Sequence, residues 1–431
     1  MSWAGGLEVA MPSGPAGLQN IDRGLRNWRL ARGLASAVTA GTGFGGIDVV
    51  LLGDSIGFGF KSVSPFYDGW FHRLKVLVQS ALNPAGVTGG YGFVRIGSGA
   101  DRRPPFMTSA GTVSDGSSND GSGGAWVSLP VSSGKANRVT LAFDGTSPIP
   151  RQKKQATHVE IVFTKAPNAN SDALYDLGTT DPAGGNGNVL ASQLIDTSAV
   201  AQSNGHRQLL TGLNKNGPNF LQIASGPTSG GLGLYLEGAI AYCDDYDRGV
   251  RFHNLAVPSA VTTWIAPQSN KLLTNVGRWC TNLSGATRAK LYIIALGAND
   301  MGTGASPNVT SAAYQANLAA LADHILSQPT KPSVMFVIFP IRADGGGALF
   351  TRTANRPEDY IRAVYSVAAT RPDTCVVDLQ TGMVGSPYYR TAIDNSYLAA
   401  TTTHGWHHAD LVHLGEGAQD SLARLLAELL L

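Results

Sequence analysis

The chain has little charge, few cysteines and no long apolar run. Asp, Glu, Lys and Arg make up 14% of its 431 residues and the formal net charge is +2, whereas about 25% of the residues of a soluble protein are usually charged. Nucleic-acid binding needs clustered Lys and Arg, which are missing, so we expect no nucleic-acid partner. No apolar run approaches the ~20 residues that cross a bilayer, so we expect no transmembrane segment.

Cysteine is also too sparse to build a framework. Cys243, Cys280 and Cys375 are far apart and odd in number, so they indicate neither a disulfide scaffold nor a metal knuckle, and we interpret them as small buried apolar residues. The first twenty residues lack the basic start and continuous apolar stretch of a secretion signal, so we expect no cleaved leader there.

The composition and the pattern of polar and apolar residues change along the chain. Residues 1–46 form a Gly/Ala-rich lead-in with one basic amphipathic segment, which we expect to pack on the body. Residues 99–250 alternate polar and apolar positions between Gly/Ser-rich loops, which predicts a β-rich insert. On either side, in 47–98 and 251–431, continuous apolar strands alternate with helices, which predicts one α/β domain with a parallel sheet covered on both faces.

The stretch IDVVLLGDSIGFGF, residues 47–60, places Ser55 just past the end of the first predicted strand. One interpretation is a plain strand-to-helix turn, with Asp54 or Ser55 as a helix cap. The other is catalytic, because functional groups in an open parallel sheet collect beyond the carboxyl ends of its strands.

Two further segments favour the catalytic interpretation. LYIIALGANDMG, residues 291–302, is another apolar strand, and it ends close to Asn299; HHADLVHLGEGAQ, residues 407–419, places Asp410 and His413 just before the last predicted helix. A serine nucleophile needs a base and a carboxylate that orients the base, and a side-chain amide can donate to an oxyanion. The sequence therefore predicts Ser55, His413 and Asp410 as a triad, with Asn299 beside them.

These segments resemble the motif blocks of the SGNH hydrolases, also called GDSL esterases. The resemblance implies a flavodoxin-like parallel sheet and an oxyanion hole formed by the N–H groups of Ser55 and a second residue together with the amide of Asn299. That second residue is usually a glycine, but in FHNLAVPSAVTTW the position is occupied by Ser259. The resemblance also implies His413 as the base and Asp410 as its partner, with no cofactor.

Other motifs were weighed. GDSIG fits the G-x-S-x-G elbow of α/β-hydrolases, but only 46 residues precede its strand, and Asp410 and His413 share one loop. GTGFGG, residues 41–46, comes before its strand and not after it, the wrong order for a dinucleotide loop.

A metal site was considered at the histidine-rich loop. The histidines there could hold a metal, but they lack acidic or Cys partners at ligand spacing, so we expect no metal and a polar loop that lines a cleft. Trp406 in this loop is then either a core residue or a substrate platform. The histidines are His404, His407, His408 and His413.

The predicted function is serine esterase activity on short-chain, for example acetyl, esters of a glycan, cell-envelope polymer or lipid. The alternative is a non-catalytic structural or glycan-binding protein that reuses the fold. We expect the insert to be a β-sandwich that binds glycan, with Trp126, Tyr175 and Tyr242 as either stacking or core residues.

Together, the lead-in, the β-rich insert and the α/β domain with its GDS motif at residues 53–55 resemble esterase-type minor tail proteins of phages that infect actinobacteria. That resemblance implies a place in the virion and other tail proteins as partners. A soluble cytoplasmic or non-classically exported bacterial esterase is the alternative.

Overall fold

We describe the fold from a computed structural model. The structure describes the following residues: 17–37, 46–59, 62, 68–83, 90, 92–96, 107–110, 114–117, 125–129, 137–143, 156, 158–165, 167, 173–178, 189–200, 203–210, 213, 219–224, 234–242, 249–265, 288–301, 308–339, 357–384 and 413–431. Within these ranges, no helix is both long enough and apolar enough to cross a membrane.

Seventeen strands are described, and they are numbered in chain order. They are β1 Leu18–Gln19, β2 Ile47–Gly53, β3 Gly92–Arg95, β4 Met107–Ala110, β5 Ser114–Ser117, β6 Ala125–Leu129, β7 Arg138–Phe143, β8 His158–Lys165, β9 Ala173–Gly178, β10 Val189–Ile195, β11 Ser203–Leu210, β12 Asn219–Ala224, β13 Leu234–Tyr242, β14 Val250–Asn254, β15 Ala289–Ala295, β16 Ser333–Ile338 and β17 Thr374–Asp378.

The helices lie mainly before β3 and after β14. They are α1 Ile21–Gly24, α2 Arg26–Ala37, α3 Ser55–Phe58, α4 Trp70–Leu82, α5 Ala298–Met301, α6 Ser311–Leu326, α7 Pro357–Ala369, α8 Leu379–Val384 and α9 Glu416–Leu430, and a 3₁₀ turn spans Thr262–Ile265. Helices α6, α7 and α9 alternate with the strands of residues 251–431, as the sequence pattern predicts.

The central sheet has the strand order β1-β17-β16-β15-β2-β14, and every pair except β1 with β17 is parallel. The first parallel strand along the chain, β2, lies between the second, β14, and the third, β15. This is the flavodoxin-like order, in which the chain reverses direction across the sheet beside its first strand. The predicted parallel α/β sheet is therefore confirmed.

Both faces of this sheet are covered, as the apolar strands require. Along β2, Val50 and Leu52 join the core cluster that contains α6 and α7 side chains. Val49 and Leu51 point to the opposite face, where α2, α4 and α9 pack. Strands buried on both faces have no polar side to alternate with, which explains the continuous apolar runs in the sequence.

Helix α2 is attached to the last helix. Trp28 is fully buried, and its indole N–H donates to the carbonyl of Leu430 over 3.0 Å. The guanidinium of Arg32 donates to the same carbonyl. Side-chain donors at the end of a helix satisfy carbonyls that have no partner within it, so α2 caps α9 at its C-terminus.

The insert region forms two antiparallel sheets. One has the order β10-β9-β12-β7-β4, and the other has the order β11-β8-β13-β6-β5, with β3 also paired to β13. Alternate side chains from both sheets, such as Leu141, Leu221, Ile161 and Leu236, share one apolar cluster. The β-rich character predicted for residues 99–250 is confirmed, and β7, β8, β12 and β13 are among its strands.

The second of these sheets packs against the α/β body without a gap. Phe93, Val162 and Ile240 belong to the same buried cluster as Val50 and Tyr292 of the central sheet. Gly92 adopts φ +75, and a Cβ at this position would lie 1.8 Å from the Phe252 carbonyl oxygen. The backbone of β3 can therefore approach β14 only because residue 92 is glycine.

Buried charges cross the same junction. The Arg251 guanidinium lies 2.6 Å from Asp48 through its Nε, and His253 Nε2 lies 3.3 Å from the same carboxylate oxygen. Burial alone would raise the pKa of Asp48, but the nearby Arg251 and His253 hold it well below its usual range.

The insert continues this charge network. The Arg251 guanidinium stacks 5.2 Å from the centroid of the Tyr242 ring. The Tyr242 hydroxyl donates to Glu160 over 2.7 Å, and Arg207 lies 3.7 Å from that carboxylate. Tyr242 is only 2% exposed, so the idea that it stacks on sugar rings is wrong, because its ring is part of this junction.

Arg251→Met should lower the free energy of unfolding by about 3–5 kcal/mol, because removing one partner leaves the Asp48 charge buried without its main counter-ion. Chemical denaturation followed by circular dichroism measures this change. Arg424→Met is the matched control, since Arg424 pairs with Asp420 on the surface of α9 and should change stability little. Equal effects of the two substitutions would contradict the importance of the junction.

Candidate active site

Ser55 is the first residue of α3, the short helical turn that follows β2. The Asp54 side chain caps this turn, since its Oδ1 accepts from the N–H of Ile56 at 2.8 Å and from the N–H of Gly57 at 3.4 Å. Gly59 ends the turn with φ +83, a conformation that favours glycine. Both interpretations of GDS apply to the same turn, because Asp54 is the cap and the Ser55 side chain projects from it.

The Ser55 hydroxyl contacts His413. Its Oγ lies 2.9 Å from His413 Nε2, although 358 residues separate the two in sequence. Both side chains are partly buried. When Nε2 carries no proton, it accepts a hydrogen bond from the serine hydroxyl, the arrangement that a general base needs.

Trp70 and Gln419 hold the His413 segment against the Ser55 turn. The Trp70 indole N–H donates to the Ile56 carbonyl over 3.0 Å, and the Trp70 backbone N–H donates to Gln419 Oε1 over 2.8 Å. Gln419 Nε2 in turn donates to the carbonyl of Leu414, the residue after His413. Sequence reasoning missed these roles, although Gln419 lies within the quoted HHADLVHLGEGAQ segment.

Asp410 lies outside the described residues, as do Trp406, His404, His407 and His408. The proposed partner of His413 therefore stays a prediction, as does the polar-loop interpretation of the histidines. In the described part of the chain, no three His, Cys, Asp or Glu side chains are grouped as a metal site requires.

Asn299 follows β15 and lies in the first turn of α5. Its Nδ2 donates to the Ala260 carbonyl over 3.2 Å, and its own carbonyl accepts from Asn308 Nδ2 over 2.7 Å. An amide nitrogen carries two hydrogens, so Nδ2 keeps a second donor after the bond to Ala260. Asn299 is thus oriented on the loop that carries Ser259.

That loop continues β14 along the end of β2. The Val257 N–H donates to the Gly53 carbonyl over 2.8 Å, and the Ala260 N–H closes a turn onto the Val257 carbonyl over 3.0 Å. Ser259, inside this turn, is exposed and has φ +68. This left-handed conformation explains in physical terms why glycine suits the position, since a side chain there costs about 1–2 kcal/mol.

Two buried carboxyls lie next to the proposed catalytic residues. Burial raises the pKa of Asp54 to about 7, although its bonds to Ile56 and Gly57 oppose the shift, and the neighbouring Asp300 raises it further. Burial also raises the pKa of Asp300 to about 6, against the opposing bonds from Thr262. A raised carboxyl pKa means that the folded state holds protons more tightly, so this contribution to stability is present at low pH and is lost as pH rises through about 6 to 7.

The site therefore combines a hydroxyl, an imidazole and a side-chain amide at the edge where the strand order reverses. In doubly wound sheets this switch point is where ligands bind. A hydroxyl held against an unprotonated imidazole can attack an electrophilic carbon, and N–H donors beside it can stabilise the negative charge that develops.

Ser259→Gly should leave stability unchanged or raise it by up to about 1 kcal/mol, because glycine adopts φ +68 without strain but loses more entropy on folding. Ser259→Val should destabilise the protein, since a β-branched side chain is least tolerated at positive φ. Thermal unfolding of the two variants measures the difference. Equal melting temperatures would mean that residue 259 is not held in the left-handed conformation.

Comparisons with known proteins give a fold and no family assignment. No family description matches the chain, and no curated protein matches its sequence. A solved structure described as a peptidoglycan O-acetylesterase has a TM-score of 0.59 and 16% identity, covering 93% of this chain and 94% of that one. At this identity the likeness shows the fold alone.

Two further structures overlap less closely. A lipase/acylhydrolase from Enterococcus faecalis has a TM-score of 0.28 and 18% identity, covering 42% of this chain and 75% of that one. A family two carbohydrate esterase from Clostridium thermocellum, in complex with cellohexaose, has a TM-score of 0.26 and 11% identity, covering 75% of this chain and 97% of that one. The predicted α/β fold thus has a counterpart over nearly the whole chain in the first structure.

Proposed function

We propose that the chain is a serine esterase of the SGNH type that hydrolyses short-chain esters, such as acetyl esters, on a glycan or cell-envelope polymer. The observation that carries this proposal is the 2.9 Å contact between Ser55 Oγ and His413 Nε2 at the switch point of the sheet. A cap and a turn alone need no imidazole on the serine, so this contact favours catalysis over a purely structural use of the fold.

The reaction begins with Ser55 Oγ attacking the ester carbonyl carbon while His413 Nε2 takes the hydroxyl proton. The tetrahedral intermediate collapses, the bond to the alcohol breaks, and the alcohol leaves with the proton from His413. Water then attacks the acyl-Ser55 ester with His413 again as the base, which releases the acid and restores Ser55. Asp410 is proposed to orient His413 through Nδ1, as the sequence resemblance implies.

The oxyanion is proposed to accept hydrogen bonds from the N–H groups of Ser55 and Ser259 and from Asn299 Nδ2. Asp54 occupies the N–H groups of Ile56 and Gly57, which leaves the N–H of Ser55, at the start of α3, for the substrate. The bond from Asn299 to Ala260 fixes the amide plane beside the Ser259 turn. Donors fixed before the reaction stabilise the transition state without reorganising.

The polymeric substrate is supported by the fold likeness over 93% of the chain to a structure described as a peptidoglycan O-acetylesterase. The insert is proposed to be a β-sandwich that binds glycan, which would present an ester-bearing chain to Ser55. Its two antiparallel sheets with a common apolar cluster are compatible with this architecture. Trp126 and Tyr175 lie in β6 and β9, and their side chains are outside what the structure describes.

The domain limits at 46, 98 and 250 and the place of action also stay proposals. A tail protein of a phage that infects actinobacteria would reach the cell surface without a secretion signal, since virions leave by lysis. Mass spectrometry of purified virions tests this location, and absence of the protein from them would favour a cytoplasmic or non-classically exported esterase.

A substrate screen tests the acyl and polymer specificity. The purified protein should release acetate from acetylated glycans or cell-envelope material, and it should do so faster than it releases fatty acid from simple lipids. Chromatography of the released acids measures both rates, with Ser55→Ala as the blank. Release of fatty acid alone would replace the glycan by a lipid substrate.

Ser55→Ala should abolish hydrolysis of a small acetyl ester, because the reaction then has no nucleophile. Asn299→Ala should lower kcat by about 10²- to 10³-fold, the usual effect of removing one oxyanion donor. Steady-state kinetics with a chromogenic acetate ester measures both variants. Full activity of Ser55→Ala would refute the assignment.

Covalent labelling separates the enzyme from a catalytically inactive scaffold. An organophosphate should modify the wild-type chain at Ser55 in stoichiometric amount, as located by peptide mass spectrometry, and should not modify the Ser55→Ala variant. A wild-type protein that resists labelling would favour the non-catalytic alternative.

A further inference from the structure

Asp54 and Asp300 are two buried carboxyls, and each is next in sequence to a proposed catalytic group. Asp54 precedes Ser55 and is 1% exposed, and Asp300 follows Asn299 and is fully buried. Their positions come from neighbouring strands, because β2 and β15 pair with Gly53 opposite Ala295, and the Asp54 N–H donates to the Ala295 carbonyl over 3.2 Å.

Each carboxyl uses one oxygen to hold a segment of the site. Oδ1 of Asp54 accepts from the turn that carries Ser55. Oδ1 of Asp300 accepts from both the N–H and the hydroxyl of Thr262, in the 3₁₀ turn that follows Ser259. Asn317 Nδ2 donates to the same hydroxyl over 3.1 Å and extends the network to α6. Asp54 and Asp300 therefore anchor the segments that carry two of the proposed oxyanion donors.

The second oxygen of each carboxyl has no such bond. Oδ2 of Asp54 and Oδ2 of Asp300 accept no hydrogen bond of ordinary geometry from the part of the chain that the structure describes, although the nearby Ala298 N–H partly opposes the raised pKa of Asp54. The charge of Asp300 raises the pKa of Asp54, so two fully ionised carboxylates buried here without a cation would be unfavourable, and a carboxyl that keeps its proton avoids that cost.

Among the residues that the structure describes, no Lys or Arg places a positive charge beside the pair. Tyr314 of α6 is buried beside both carboxyls, whose charges raise its pKa after the larger effect of burial, and the Tyr360 hydroxyl of α7 lies behind it. His413, from the segment before α9, contacts the Ser55 hydroxyl. Thr262 of the 3₁₀ turn is uncharged.

We propose that Asp54 and Asp300 are positioning residues that hold the Ser55 turn and the Ser259 loop and that keep one proton between them at neutral pH, so that the pair carries no more than one negative charge below the oxyanion hole. A second charge there would repel the oxyanion as it forms. The predicted effect on activity rests on the proposed esterase function. The retained proton does not, because it follows from the buried geometry of the pair.

The kinetic consequence is a decline in activity on the alkaline side. Hydrolysis by the wild type should fall toward alkaline pH as the pair loses its proton, by roughly 50-fold between about pH 7 and pH 9 for a single ionisation near pH 7. Without the ionisation of this pair, no such alkaline decline is expected.

The test compares the ratio of kcat at these two pH values in wild type, Asp54→Asn and Asp300→Asn. Asparagine keeps the oxygen that accepts the backbone N–H but cannot ionise, so each variant holds at most one negative charge and should lose the alkaline decline. The ratio does not depend on how far either substitution lowers activity overall. KM should not show the same pH dependence.

Asp378→Asn is the matched control. Asp378 is also a buried carboxyl at the end of a parallel strand, where it accepts from the Thr381 N–H over 2.9 Å, and burial raises its pKa. It ends β17, which is separated from β2 by two strands. Its variant should keep the wild-type ratio. An alkaline decline that is absent from wild type, unchanged in both Asn variants, or also lost in Asp378→Asn would overturn the proposal.

An infrared titration of the folded Asp378→Asn protein tests the proton without any enzyme activity and without changing the pair. The carboxyl C=O band of a buried protonated acid should persist above about pH 5, where ordinary Asp and Glu are ionised, and should disappear as the pH rises above about 7. Absence of this band would overturn the proposal even if the protein is an esterase. Its presence in a protein whose Ser55→Ala variant is fully active would instead refute the esterase function and keep the proton-holding pair.

Discussion

The parallel pairing of β2 with strands on both sides is the constraint on which the site depends. The register places Gly53 opposite Ala295 of β15, while Leu255 and Val257 continue the β14 side by donating to the Leu51 and Gly53 carbonyls. A Cβ on Gly53 would lie 3.0 Å from the Ala295 carbonyl oxygen and 3.3 Å from the Ala256 Cβ, so the three chain segments meet almost without side chains between them. The close approach brings the Ser55, Ser259 and Asn299 segments to one edge.

The sequence predicted this edge because its signals are local. Strands buried on both faces leave continuous apolar runs, and the polar residues that end them, Ser55 and Asn299, stand out against those runs. The contact of Ser55 with His413 was expected from chemistry, since a nucleophile needs a base. These are properties of short segments, which one sequence shows directly.

Other features of the site depend on contacts that one sequence does not show. Whether Asp54 is a cap or part of a buried pair depends on Asp300, which lies far away in sequence. The left-handed backbone at Ser259 has no signal in the sequence, because serine is compatible with many turns. The supports from Trp70 and Gln419 join three separate helices. A signal did exist at the junction with the insert, where Asp48, Arg251 and His253 interrupt otherwise apolar strands and form one buried cluster.

Two long-range contacts also limit the order in which parts of the structure can form during synthesis. Trp28 is 402 residues from the carbonyl to which it donates, and Ser55 is 358 residues from His413. Contacts of such separation form late, because the intervening chain must be ordered first. During synthesis, β2 and Ser55 leave the ribosome long before His413, which lies 358 residues further along the chain. The Ser55 turn therefore emerges without the side chain that contacts its hydroxyl, and this contact can form only after residue 413 has been made.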